Sequence, residues 1–143
     1  YNAIFVPEYA REYVEALNRP YTYDDVCAIA RHQIAQMKQY TEDRSDKIVI
    51  YDTELIITRV WFDYCYGSTP HWVLEAMEHY KPDVYLLMYP DLAWVDDPVR
   101  ENGGDAIRLE LYNRYLQEIR TLKVPCYIIR HTPDGNISAS KMA

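Results

Sequence analysis

Asp52 closes the run Ile48-Val49-Ile50-Tyr51, which shows no polar alternation. A carboxylate at the end of such a strand can orient a magnesium shell or an attacking hydroxyl. It can equally cap the following helix by accepting backbone N–H bonds. Glu8-Tyr9-Ala10-Arg11-Glu12-Tyr13 stands at another strand-to-helix turn. There Glu8 can accept from ribose hydroxyls and Arg11 can hold a phosphate, or both can belong to a helix start with i, i+4 ion pairing. The third group is Trp94-Val95-Asp96-Asp97-Pro98-Val99-Arg100, with Arg108 further along. Two arginines on a flexible loop can fold over a triphosphate and neutralise charge developing on a transferred group. The alternative is a solvated loop whose Arg and Asp residues pair with each other.

Other chemistries find little support. His32, His71 and His79 lack the spacing of zinc ligands. Cys27, Cys65 and Cys126 lie far apart with no CxxC, which suggests reduced thiols and a cytoplasmic setting. No serine sits in a G-x-S-x-G elbow, and no G-x-G-x-x-G turn supports a dinucleotide site. The 22 acidic residues outnumber the 15 basic ones, for a net charge of -7, so a nucleic-acid backbone is a disfavoured partner. No apolar run approaches the ~20 residues of a membrane span. With 143 residues, 49% of them hydrophobic, the chain has the length and composition of one globular domain. Fifteen tyrosines stand against two phenylalanines, so most rings carry a hydroxyl that needs a partner.

The elements that must position these groups follow from hydrophobic spacing. Ala3–Val6 reads as a buried strand stopped by Pro7. Residues 8–17 have helical spacing, ended by Asn18-Arg19-Pro20. Thr22 offers an N-cap, with Asp24 and Asp25 in the first turn, to a helix reaching about Tyr40. After a charged connection come the strand 48–51, an apolar helix over 55–66 broken by Gly67, and a shorter helix over 72–80. The strand 84–88 precedes a polar loop over 92–104. A long amphipathic helix over 105–123 and a last strand over 126–129 complete the pattern, and residues 131–143 read as an irregular tail. Alternating helices and short, uniformly apolar strands predict an α/β fold, a parallel sheet with helices on both faces. In such sheets ligands bind beyond the C-terminal ends of the strands. Here those ends carry Glu8, Asp52, Asp91 and Arg130.

Four segments in this order are distinctive: residues 7–13, Gln33 in the second helix, Asp52-Thr53, and residues 94–100. Together they resemble the NadR-type P-loop proteins, which include ribosylnicotinamide kinase domains and relatives described as AAA-like ATPases. The resemblance implies a nucleoside-kinase fold with a five-stranded parallel sheet, spanning residues 1–130. It implies ATP and magnesium as cofactors and phosphoryl transfer to a nucleoside, with nicotinamide riboside the leading acceptor. The alternative is an ATP-binding regulatory module or ATPase without a small acceptor. By the same resemblance Asp52 would lie near magnesium and the acceptor hydroxyl. Glu8, Tyr9 and Arg11 would line the acceptor site, Arg100 and Arg108 would be lid arginines, and Trp94 would position the lid. The family opens with a strand and a G-x-x-x-x-G-K-[ST] loop that these residues do not contain. The sheet's central first strand is therefore expected in a strand–loop–helix unit of roughly 20–30 residues ahead of Tyr1.

Overall fold

The computed structural model describes residues 2–42, 46–95, 97 and 104–142. These fall into two compact units, Tyr1–Tyr80 and Lys81–Ala143.

The first unit opens with β1 (Ala3–Val6) and α1 (Tyr9–Ala16), followed by α2 (Tyr23–Glu42), β2 (Ile48–Tyr51), α3 (Leu55–Tyr66) and α4 (His71–His79). β1 and β2 are parallel, with Ala3 opposite Ile48 and Val6 opposite Tyr51. The start of α2 is fixed by a reciprocal cap. The Asp25 backbone N–H reaches the Thr22 hydroxyl, and the Asp25 carboxylate accepts the Thr22 N–H at 2.7 Å. Gly67 ends α3 in the left-handed region (φ 74°), and its N–H bonds the Asp63 carbonyl. The core collects Val26, Ile29 and Ala30 of α2 with Leu55, Val60 and Phe62 of α3 and Val73 of α4. One polar pair lies inside it. Gln33 accepts a hydrogen bond from the Thr58 hydroxyl at 2.6 Å, which links α2 to α3.

The second unit holds β3 (Tyr85–Met88), α5 (Asp105–Leu122), β4 (Cys126–His131) and β5 (Ile137–Lys141). Its core centres on Tyr112, Ile119 and Leu122 of α5 with Val124 and Cys126. β3 and β4 are parallel, whereas β5 returns antiparallel to β4.

Three expectations need correction. The described strands form a parallel pair and a three-stranded mixed sheet, not one five-stranded parallel sheet. The irregular tail is also in part a strand, because Thr132-Pro133-Asp134-Gly135-Asn136 makes a tight hairpin turn. Gly135 takes φ 81°, and the Thr132 N–H closes on the Asn136 carbonyl at 2.9 Å. The uniformly apolar strands are also not covered on both faces, since alternate side chains are exposed.

Candidate functional site

The two units present separate groups at the C-terminal ends of their parallel strands. In the first, the Asp52 N–H bonds the Val6 carbonyl at 2.8 Å, continuing the ladder one residue past the Val6–Tyr51 pair. Pro7-Glu8 and Asp52-Thr53-Glu54 therefore leave the sheet side by side. Asp52 is exposed, and among the described residues its carboxylate has no hydrogen bond or ion pair. It does not cap α3. That work falls to Glu54, a buried residue whose carboxylate accepts the Ile56 N–H at 3.2 Å. Between them Thr53 is forced to φ 65°.

Arg11 realises the pairing alternative. It lies 3.5 Å from Glu8 and 3.2 Å from Glu15. Tyr9 stacks on His32 of α2, with centroids 3.5 Å apart and planes 11° from parallel. Glu8, Tyr9 and Arg11 thus form one cluster at the start of α1.

In the second unit Arg108 donates to the Leu92 carbonyl at 2.8 Å and pairs with Asp105 at 3.3 Å. Its guanidinium lies 5.8 Å from the Trp94 ring. Arg108 and Trp94 therefore meet at the stem of the polar loop. Arg100 lies outside the described residues. At the ends of β3 and β4, Asp91 accepts the His131 backbone N–H at 2.8 Å, and its other oxygen lies 3.3 Å from His131 Nδ1. Burial alone would raise the Asp91 carboxyl, but these bonds from His131 hold it below its ordinary value.

Residues 1–135 match the family described as AAA domain. The chain belongs to this family. No curated protein matches it. The AAA domain is a P-loop ATPase-like fold, and the mixed α/β architecture agrees with it. Membership accords with the nucleotide-binding expectation at that level, which is broader than the NadR-type resemblance. Among the described residues no three His, Cys, Asp or Glu side chains are grouped to hold a metal, and no helix is long and apolar enough to cross a membrane.

Sequence reasoning missed Glu54 and His32. The Glu54 cap was in principle readable, since it stands directly before the apolar run of α3. The Tyr9–His32 stack joins two helices and has no local signal.

Proposed function

We propose that this AAA-domain protein is an ATP-dependent nucleoside kinase of the cytoplasm, with nicotinamide riboside the leading acceptor. The observation that supports the reading is the exposed Asp52 carboxylate at the C-terminal edge of the parallel β1–β2 pair, without hydrogen bond or ion pair among the described residues. Had Asp52 itself capped α3, its carboxylate would have been accounted for by a purely structural role. Here the cap is Glu54, and among the described residues Asp52 is left unbonded.

In this reading Asp52 orients the acceptor hydroxyl and takes its proton as the hydroxyl oxygen bonds the γ-phosphorus and ADP departs. Glu8 accepts from the ribose hydroxyls, and Tyr9 closes that side of the site. Arg11 exchanges a carboxylate for a phosphate contact on binding. The family resemblance gives Arg100 and Arg108 the part of lid arginines, with Trp94 at the loop stem. A single exposed carboxylate suits magnesium, which keeps most of its waters and draws its other ligands from phosphates. When bound, magnesium supplies charge neutralisation across the phosphates.

The engaged states of Arg11 and Arg108 favour a second reading, an ATP-binding switch without a small acceptor. ADP release with and without a panel of nucleosides separates the two. The kinase shows acceptor-dependent ADP, and Asp52→Asn lowers kcat about 100-fold or more while the fold persists. Normal ATP binding with no acceptor-dependent ADP would leave only the switch.

A further inference from the structure

Arg130 and Arg31 each lie over an aromatic ring, outside the ion pairs that hold five other arginines; Arg31 sits 5.0 Å from the Trp72 centroid and Arg130 closer to its ring. Arg11, Arg19, Arg59, Arg108 and Arg114 each pair with a carboxylate. Among the described residues Arg130 has no ion pair and no hydrogen bond from its guanidinium. Instead its guanidinium carbon lies 3.5 Å from the centroid of the Tyr89 ring. The acid closest in sequence to this stack, Asp91, is committed to His131 through both oxygens.

The stack is anchored in the core. Tyr89 follows β3 directly, and its N–H bonds the Ile129 carbonyl at 2.8 Å, so the parallel ladder runs on to this residue. Its ring meets the ring of Tyr112 edge to face, with centroids 5.1 Å apart at 79°. Tyr112 is buried on α5. The series therefore runs from a buried ring through a half-buried ring to an exposed cation, at the strand ends where an α/β sheet binds its ligands. Across the sheet, the residue opposite Arg130 on β5 is Ser138, which is small and exposed. One face of the guanidinium lies on the Tyr89 ring, and the side chain as a whole is exposed.

We propose that Arg130, braced flat on Tyr89, is the surface on which the purine base of a nucleotide stacks. This rests on the nucleotide-binding reading of the AAA domain and adds the residue that would hold the base. A guanidinium held by its plane suits a second flat π system. Phosphate needs only the edge donors, and an unbraced side chain would serve it as well.

Arg130→Lys separates these roles, because it keeps the charge and the aliphatic stem but removes the plane. Titration calorimetry compares ATP, which has a base, with tripolyphosphate, which has none. Stacking predicts that Arg130→Lys weakens ATP about 5- to 30-fold. It predicts that tripolyphosphate changes by less than about twofold, since the charge that attracts it remains. Circular dichroism should show an unchanged fold, as the side chain is exposed. Equal weakening of both ligands would make Arg130 a phosphate contact and overturn the proposal. Unchanged ATP affinity would reduce it to a cover for Tyr89 and overturn it too. A wild-type protein that binds neither ATP nor other nucleotides would remove the nucleotide reading itself, and the proposal with it.

Discussion

Thr53 holds a backbone conformation (φ 65°) that costs a β-branched residue about 1–3 kcal/mol. Its neighbours explain what the cost accomplishes. One left-handed step lets the chain leave β2 with Asp52 at the sheet edge and still deliver Glu54 as the cap of α3. Strain at this joint sets the direction of the candidate catalytic acid. Thr53→Gly should therefore raise stability by about 1 kcal/mol, the relieved strain being partly offset by glycine's greater freedom in the unfolded chain. Urea denaturation reads the gain as a higher midpoint. Acceptor-dependent turnover should fall in the same variant, because the turn that aims Asp52 becomes looser. A rise in both quantities would show that the strain does nothing for the site. Asp52 and Glu8 were legible as candidates because both follow short apolar runs. Which acid caps the helix was not, since Asp52, Thr53 and Glu54 all have side chains able to cap and only the backbone turn decides among them.

Helices α1 and α2 are joined through one buried carboxylate. Asp25 accepts both Arg19 guanidinium nitrogens, at 2.7 and 2.9 Å, and the Tyr13 hydroxyl at 3.0 Å, besides closing the cap with Thr22. Arg19 first, and then the Thr22 and Tyr13 bonds, hold the Asp25 carboxyl far below the usual carboxylate range against the opposing effect of burial. Because the folded pKa is depressed, the stabilisation is fully present above the unfolded value of about 3.9 and is lost as pH falls below it. Asp25→Asn should lower the urea midpoint clearly at pH 7. The gap between variant and wild type should narrow as the pH is taken from 5 to 2. A gap that stays constant would mean that packing, not charge, carries the contribution of Asp25. At this scale much was readable in advance. Helix ends are fixed by local chemistry, and Thr22 and Gly67 placed theirs within one or two residues. β5 was missed although Pro133-Asp134-Gly135 is a turn signal, because its own residues, Ile137-Ser138-Ala139-Ser140-Lys141, carry a single large apolar side chain. Such a strand is held by its ladder to β4, and hydrophobic spacing cannot reveal it.

At the scale of the whole molecule, the sheets carry more apolar surface than their helices cover. Parallel strands usually have both faces packed, which is why their sequences lose polar alternation. Phe5 and Ile50, register partners in the first unit, are nevertheless 63% and 47% exposed. In the second unit Leu86 and Met88 are 58% and 61% exposed. The sequence pattern is that of a doubly covered sheet, while the described residues cover one face. Two forces then oppose each other in solution. Apolar faces of this kind favour association, whereas a net charge of -7 disfavours it. A dye that fluoresces on apolar surfaces should bind the 143-residue chain. Phe5→Lys and Leu86→Lys should each reduce that signal and shift Tm by no more than a few degrees, since exposed positions contribute little to stability. A large fall in Tm with either substitution would instead show that the faces are packed in solution. In that case the apolar pattern of β1 and β3 would record a buried contact rather than an open surface.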